Sequence, residues 1–484
     1  MDSRIAVTAP SASGSGGTGS WEHFTPGGSQ QTAAQLADHH AFWFAKELKN
    51  VAIAPEFDGH VLQALIAPRG LVNTQGIDDG LANPRGTRLM FEASAPAFEL
   101  LQARLPAATH WRPGGHGHLL TDWEAMLDYA EAYFKKGPLP SQMNQWPIAS
   151  LAKPLPDPLV FTDGTRVVTM DDWSRRRAEM KALLLDFQYG HMPPAPKSWR
   201  VEVTSQRRVF EGKAMDRRVS LIFGNGGESF TMRVGILVPT RPGRHAVVIK
   251  NDAAIGHVTL AERLIDDGIM VVEYLRTDLD PDEPRALGPA QAAYPNHDWG
   301  TLAVWAWGGS RVIDYLVTLP EVDPSKLAVF GHSRGGKVAL LTGALDERVA
   351  VTLPNGSGAG GAGLYRNQTS KAESLALITD PKRFGYWFAP KLRAFAGREN
   401  ELPFDQHFLR ALIAPRAVMS TDAEGDLWAN PQGTRDASDA AASVFDFVGA
   451  RERINTTHFR NGKHDETIED WQAALAFMKR CFKE

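Results

Sequence analysis

One stretch decides the fold of this chain: Leu327-Ala328-Val329-Phe330-Gly331-His332-Ser333-Arg334-Gly335-Gly336-Lys337, followed by Val338-Ala339-Leu340-Leu341. An apolar run that predicts a buried strand leads into a G-x-S-x-G turn, and a second apolar run predicts a helix. This order is typical of a nucleophile elbow, in which glycines allow close backbone approach and the serine oxygen stands free. The stretch therefore predicts Ser333 as a nucleophile, with an ordinary glycine-rich turn as the alternative.

Strands and helices alternate around this turn. Short β-rich runs fill residues 200–238, and helices are predicted over 259–267 and 299–319. The later predicted strands are 246–249, 269–272, 327–330, 349–352, 417–419 and 454–457. Such alternation predicts a mostly parallel sheet with helices on both faces, which is a three-layer αβα sandwich. Together with the elbow it indicates the α/β class, of the α/β-hydrolase type.

The composition excludes several classes of function. A net charge of −4 over 484 residues provides no basic field for nucleic acid. The single cysteine, Cys481, excludes an internal disulfide framework and a cysteine metal cluster. The sequence has no run of about eighteen apolar residues and therefore predicts no membrane span. No signal peptide is visible. We expect no cofactor, no metal, no nucleic acid and no membrane partner; the sequence leaves the oligomeric state open.

Residues 1–136 resemble a second copy of residues 348–484. Residues 64–69 recur unchanged as 411–416, and Trp43-Phe44-Ala45 matches Trp387-Phe388-Ala389. Further matches in the same order pair 4–8 with 348–352, 82–84 with 429–431, and Gly114-x-His116 with Gly462-x-His464. The copy starts beyond the nucleophile turn, so we expect a catalytically silent, C-terminal half of a hydrolase. The predicted domains are this repeat (1–136), a Pro-rich linker (137–159) and a catalytic domain (160–484).

The partners of Ser333 should lie downstream, because triads of this fold run serine, acid, histidine along the chain. His464 follows the last predicted strand, where it can take the serine proton and return it to the leaving alcohol. The candidate acids after strand 417–419 are Asp422, Glu424 and Asp426. Only Asp426 matches a carboxylate in the N-terminal copy, Asp79, and it is therefore preferred. A surface turn histidine and a solvated acidic loop are the alternatives.

The motif Gly331 to Lys337 matches the pattern G-[C/H]-S-R-x-G-K, and residues 160–484 resemble the glucuronoyl esterases, carbohydrate esterase family fifteen. Other stretches that resemble the family are 299–308, 386–388, 402–407 and 411–416. The resemblance implies cleavage of the ester between 4-O-methyl-glucuronic acid on xylan and an alcohol of lignin.

The resemblance also implies roles for four further residues. The guanidinium of Arg334 joins the backbone N–H at the oxyanion, and Lys337 hydrogen-bonds the glucuronate hydroxyls. Trp428 packs on the sugar and Glu373 binds it. A solvated helix lysine and a core tryptophan are the corresponding alternatives.

One departure from the family concerns the loop after strand 349–352. Many members carry the triad glutamate there, in a pattern like P-x-E-S-G, whereas this chain has Gly356. The other acid position of the family, after a later strand, matches Asp426. The departure predicts that Asp426 alone supplies the carboxylate of the triad. If Asp426 is misplaced, we expect the domain to be slow or inactive.

These residues predict a serine esterase that acts on glucuronate esters of glucuronoxylan. A carbohydrate acetyl esterase of the same fold and a sugar-binding protein with a decayed active site are the alternatives. The implied substrate lies outside cells, so we expect an extracellular or periplasmic protein despite the absence of a visible signal peptide.

Overall fold

A computed structural model describes residues 2, 4–21, 36, 58–77, 79–145, 155–225, 228–284, 286–366, 371–450 and 454–482. The chain divides into two compact units, Met1–Ser150 and Leu151–Glu484. Among the described residues, no helix is long and apolar enough to cross a bilayer. The Trp43-Phe44-Ala45 match lies outside the described residues.

The first unit is built on three parallel strands in the order β1-β2-β3. The strands are β1 (Val7–Thr8), β2 (Gly70–Gly76) and β3 (Ala108–Arg112), and the helices are α1 (Gly59–Ala64), α2 (Pro84–Leu100) and α3 (Leu120–Lys135). Val72, Ala108 and Tyr129 form a buried cluster between the sheet and α3. Met143 joins this cluster, so the described start of the Pro-rich stretch packs on the first unit.

The second unit contains a nine-stranded mixed sheet in the order β12-β11-β10-β9-β7-β8-β6-β5-β4. Its strands are β4 (Ser198–Val209), β5 (Ala214–Asn225), β6 (Glu228–Pro239), β7 (His245–Asp252), β8 (Ile269–Leu275), β9 (Val322–His332), β10 (Val349–Asn355), β11 (Ala417–Ala423) and β12 (Asn455–Arg460). Strands β4, β5, β6 and β8 pair antiparallel in turn, and all other pairs are parallel. Each predicted strand overlaps an observed one, and the prediction of a mostly parallel sheet is confirmed.

Helices pack on both faces of this sheet. They are α4 (Met170–Leu184), α5 (Ala261–Asp266), α6 (Pro289–Ala293), α7 (Thr301–Leu316), α8 (Arg334–Leu345), α9 (Leu375–Ile378), α10 (His407–Ala411), α11 (Pro431–Phe447) and α12 (Ile468–Phe482). A π-helix spans Leu185–Tyr189, and 3-10 turns span Phe210–Gly212, Arg276–Asp278, Gly385–Trp387, Pro390–Phe395 and Glu399–Glu401. Helix α8 is almost entirely buried, because it packs against β9, β10 and α7 at the centre of the unit. The sheet with two helical layers is the predicted α/β-hydrolase sandwich.

Parallel strands bring their carboxyl ends to one edge of the sheet. The loops that follow β8, β9, β10, β11 and β12 therefore meet there, although they are distant in sequence. These loops carry Asp282, Ser333, Gly356, Asp426 and His464. The topology alone thus gathers the candidate residues at one place.

Candidate active site

Ser333 occupies the sharp turn between β9 and α8. Its φ of 54° and ψ of −121° are values that a non-glycine residue rarely adopts, as expected for a nucleophile elbow. The turn needs its glycines, since a Cβ on Gly331 would come within 2.1 Å of the Gly335 carbonyl oxygen. The Ser333 N–H donates to the Asn355 carbonyl at 2.8 Å, which fixes the turn against β10.

Ser333, His464 and Asp426 form a continuous hydrogen-bonded chain. His464 Nε2 lies 2.8 Å from Ser333 Oγ, and His464 Nδ1 lies 2.6 Å from Asp426 Oδ2. Nδ1 donates to the carboxylate, which leaves Nε2 as the acceptor for the serine proton. The second Asp426 oxygen accepts the Ala429 N–H at 3.1 Å, so the carboxylate is held from both sides. This is the geometry that general-base activation of a serine requires.

The structure separates the three candidate acids. Asp426 alone contacts His464. Glu424 forms a buried ion pair with Arg435, and neither Asp422 oxygen has a hydrogen-bond partner among the described residues. Burial, reinforced by the charge of Asp426, raises the pKa of Asp422 well above its ordinary value. Burial therefore disfavours the charged form of Asp422, and Asp426 is the acid that contacts the imidazole.

A second histidine lies beside the first. The His332 ring is tilted against the His464 ring, with centroids 4.9 Å apart. His332 Nδ1 donates to Asn355 Oδ1 at 2.5 Å, because the Asn355 amide NH₂ is used on Thr421. Burial lowers the pKa of His332, and the nearby His464 lowers it further, although the Asn355 contact opposes this. A neutral ring at this position adds no charge next to His464. Sequence reasoning missed this contact between His332 and His464.

Gly356 occupies the position where many family members have the acid. Its φ is +51°, which favours glycine. A Cβ built there would lie 3.4 Å from the His332 ring and 3.6 Å from Asp426 Oδ2. The space beside Gly356 is therefore close to the carboxylate of Asp426.

The Arg334 side chain is held by groups from two other loops. Its Nη1 donates to Asp282 Oδ2, and its guanidinium lies 5.0 Å from the centre of the Trp387 ring. Asp282 Oδ1 accepts from Tyr386 Oη at 2.8 Å and from Trp387 Nε1 at 3.1 Å. Sequence reasoning missed Asp282, since nothing local to residues 276–288 indicates a partner 52 positions later.

Lys337 and Glu373 form a buried ion pair with an Nζ to Oε2 distance of 2.7 Å. Lys337 Nζ also donates to the carbonyls of Ser357 and Ala359, at 2.7 and 2.6 Å. These three acceptors use all the N–H groups of an ammonium. In this structure Lys337 therefore ties α8 to the loop after β10, and its role on sugar hydroxyls stays a prediction.

Trp428 lies two residues beyond Asp426 and remains 38% exposed. Its carbonyl accepts the Glu373 N–H at 3.0 Å, which joins two of the three predicted sugar-binding residues. The exposure disagrees with the core-packing alternative and leaves part of the residue accessible to a ligand. The role on the sugar stays a prediction.

The first unit contains an acid–histidine pair of the same kind. His116 Nδ1 lies 2.8 Å from Asp79 Oδ2, and Asp79 Oδ1 accepts the Ala82 N–H at 3.0 Å. His116 is half exposed and Asp79 is buried. Within the described part of this unit, no serine is hydrogen-bonded to His116.

Among the described residues, we find no group of three or more histidine, cysteine, aspartate or glutamate side chains that could hold a metal ion. The site instead brings together a serine, a histidine, an aspartate and an arginine. This set matches acyl transfer through a serine.

A family model described as "Glucuronyl esterase, fungi" matches residues 1–102 and 222–449, which together exceed half of the chain. The chain belongs to the glucuronoyl esterase family. The resemblance drawn from the sequence is confirmed at this level, and the chain is a carboxylic-ester hydrolase.

Curated proteins similar to this glucuronoyl esterase include a carbohydrate esterase of an unknown prokaryotic organism. The two are 31% identical over 386 residues, which cover 67% of this chain and 88% of the relative. A 4-O-methyl-glucuronoyl methylesterase of Podospora anserina is 31% identical over 325 residues, which cover 65% of this chain and 64% of that relative. The chain thus spans just under two thirds of the fungal enzyme.

Solved structures similar to this esterase confirm the α/β-hydrolase fold. A promiscuous CE15 esterase from a marine bacterial metagenome superimposes with a TM-score of 0.63 at 30% identity, covering 69% of this chain and 99% of that one. A glucuronoyl esterase from Solibacter usitatus gives a TM-score of 0.63 at 27% identity, with coverages of 68% and 98%.

Proposed function

We infer that this chain hydrolyses esters of glucuronic acid through Ser333. The observation that carries the inference is the continuous contact from Ser333 through His464 to Asp426, with Arg334 directly after Ser333 at the start of α8. Membership of the glucuronoyl esterase family supplies the substrate class.

In the first half-reaction, Ser333 Oγ attacks the carboxyl carbon of the ester while His464 Nε2 takes the hydroxyl proton. The tetrahedral intermediate collapses when His464 returns that proton to the leaving alcohol. Water then attacks the acyl-serine by the reverse proton path, and glucuronic acid is released. Asp426 keeps the imidazole in the tautomer that presents Nε2 to the serine.

We propose that Arg334 stabilises the oxyanion twice. Its backbone N–H is the first of α8, where N–H groups have no partner within the helix. Its side chain donates to Asp282 alone among the described residues, so its other guanidinium N–H groups remain available. A single preorganised donor of this kind contributes about 10² to 10³ in rate.

We propose that the preferred substrates carry 4-O-methyl-glucuronate on xylan esterified to a lignin alcohol. The name of the Podospora anserina relative supports the 4-O-methyl group. The partly exposed side chain of Trp428 supports stacking on the sugar. The proposed contact of Glu373 with the sugar hydroxyls rests on the family resemblance, because its carboxylate is buried against Lys337. Because such a polymer stays outside cells, we also propose an extracellular or periplasmic location.

Parallel assays of benzyl glucuronate and an acetylated xylose test this function. We expect turnover of the glucuronate ester by the unmodified protein and loss of it in Ser333→Ala. Turnover of the acetate alone would replace the uronate specificity by an acetyl esterase. Binding of glucuronate without any turnover would instead support the decayed, sugar-binding alternative.

We further propose that residues 1–136 are a partial copy of residues 348–484. Equivalent positions share unusual geometry: Asn83 and Asn430 cap their helices in the left-handed conformation, at φ of 53° and 55°. Arg112 and Arg460, the last residues of β3 and β12, also form equivalent buried ion pairs, with Asp122 and Asp470. The match of residues 1–102 to the family model supports the same proposal.

This copy is expected to be catalytically silent because its Asp79–His116 pair lacks a serine partner among the described residues. His116→Ala should therefore leave turnover of benzyl glucuronate unchanged, whereas His464→Ala should abolish it. A large loss in His116→Ala would contradict the silent role.

A further inference from the structure

Asp282 lies outside the triad and places a carboxylate on the guanidinium of Arg334. Its side chain is 17% exposed and forms an ion pair with Arg334, whose side chain is 35% exposed. Tyr386 and Trp387, two neighbours in one 3-10 turn, donate to its other oxygen, so three donors from two segments fix the carboxylate. Burial alone would raise the pKa of Asp282, but the hydrogen bonds and the Arg334 charge outweigh it and hold that pKa below its ordinary value.

The reaction changes the charge of the bound molecule. The ester is neutral at its carboxyl group, whereas the released acid loses a proton to water and is an anion at neutral pH. An arginine without a counter-ion binds a carboxylate through two parallel hydrogen bonds, so it would hold the product more tightly than the substrate. An enzyme with such an arginine at the reacting carbonyl is exposed to inhibition by its own product.

We propose that Asp282 offsets the charge of Arg334 and thereby promotes release of the glucuronate anion. The carboxylate occupies one edge of the guanidinium, and the Trp387 and Phe384 rings lie against its face at 5.0 and 5.8 Å. The remaining N–H groups can still meet the oxyanion, which carries its charge only transiently. The proposal rests on the proposed function, because it requires glucuronate to be the product.

Calorimetric titration of the protein with glucuronate and with the neutral glucuronamide tests the proposal without turnover. In the unmodified protein the two ligands should bind with similar Kd. In Asp282→Asn, which keeps the shape and an acceptor for Tyr386 and Trp387, the Kd of glucuronate should fall roughly three- to tenfold, the scale of one partly exposed charge pair. The Kd of glucuronamide should change less than that, and added salt should reduce the difference.

Asp278→Asn is the matched control. Asp278 lies shortly before Asp282, at the end of the 3-10 turn that follows β8. Its carboxylate accepts from the Arg233 side chain at 2.9 and 2.6 Å. This variant removes the same charge without touching Arg334 and should leave the ratio of the two Kd values unchanged.

Two outcomes would overturn the proposal. One is an equal change of both Kd values in Asp282→Asn, which would make Asp282 a purely structural residue. The other needs no variant: unmodified protein that binds glucuronate more than tenfold tighter than glucuronamide has no effective charge offset. If neither ligand binds and benzyl glucuronate is not hydrolysed, the proposed function itself fails, and this result is distinct from both.

Discussion

The Asp426 carboxylate lies 2.6 Å from His464 Nδ1, although 38 residues separate the two in sequence. Both residues sit in loops at the carboxyl ends of adjacent parallel strands, β11 and β12. The contact exists because the sheet aligns these ends. It distinguishes Asp426 from the two other acids of its loop.

Asp426→Asn should lower kcat by about 10³ to 10⁴, because an amide stabilises neither the required tautomer nor the imidazolium. The assay is hydrolysis of benzyl glucuronate at neutral pH. Asp79→Asn is the matched control, since Asp79 forms the same contact with His116 in the first unit. Comparable losses in both variants would contradict the assignment of Asp426.

A glutamate at position 356 should partly replace Asp426. The Cβ position at Gly356 is 3.6 Å from Asp426 Oδ2, so a glutamate there can extend its carboxylate toward His464 once Asp426 is shortened. In an Asp426→Ala background, we expect Gly356→Glu to raise kcat at least about tenfold. This is a part of the ~10³ to 10⁴ in rate that a triad acid contributes.

Gly356→Gln in the same background is the control for that experiment. The left-handed φ of Gly356 penalises both substitutions by about 1 kcal/mol or more, so the comparison isolates the charge. Equal rates for the glutamate and glutamine variants would show that the loop cannot deliver an acid to His464.

Removing one partner of the Lys337–Glu373 pair should strongly lower the free energy of unfolding, whereas removing both charges should lower it less. The two side chains are only 2% and 6% exposed. Burial lowers the pKa of Lys337 and the Glu373 charge opposes this, so loss of the carboxylate leaves an uncompensated cation. Glu373→Leu is expected to destabilise the fold by about 3 to 5 kcal/mol, and Lys337→Met with Glu373→Leu by less.

Urea denaturation of the single and double variants measures this coupling. A double variant whose loss equals the sum of the two single losses would mean that the pair is not coupled. The same proteins give KM for benzyl glucuronate. A rise in KM in a variant that stays folded would favour the predicted role of Lys337 on the sugar.

The stability of the fold should fall in acid because of His407. Its side chain is fully buried, Nε2 contacts the Pro156 carbonyl at 2.8 Å, and burial lowers its pKa to about 4 against the weaker opposing effect of that contact. In the unfolded chain His407 binds a proton near pH 6.5. The stability that the neutral, buried His407 contributes is therefore complete above that pH and is lost as the pH falls toward 4. By pH 4.5 the loss is about 2 to 3 kcal/mol.

His407→Gln, which keeps an N–H donor but cannot become charged, should flatten that part of the pH dependence. The measurement is the urea midpoint at pH 7 and pH 4.5. His257→Gln removes an exposed histidine instead and should retain the dependence of the unmodified protein. An unaltered slope in His407→Gln would assign the acid sensitivity to other groups.

The sequence by itself determined the strand–turn–helix around Ser333 and the alternation that makes the sheet parallel. Both follow from local patterns: apolar runs of strand or helix length, and glycines where the backbone approaches too closely for a Cβ. The chain order of serine, acid and histidine, with the position of His464 after the last predicted strand, then indicated His464 as the general base and left three carboxylates as candidates for the acid.

Only the tertiary structure decided which side chains meet. Asp422, Glu424 and Asp426 are alike in sequence, but their environments differ. Asp422 is buried with no hydrogen-bond partner in the described part of the chain, Glu424 is paired with Arg435, and Asp426 contacts His464. The Asp282–Arg334 contact likewise joins the loops after β8 and β9. Local patterns specify elements, whereas the register of the sheet and the burial of each position set the distances and charges on which the chemistry depends.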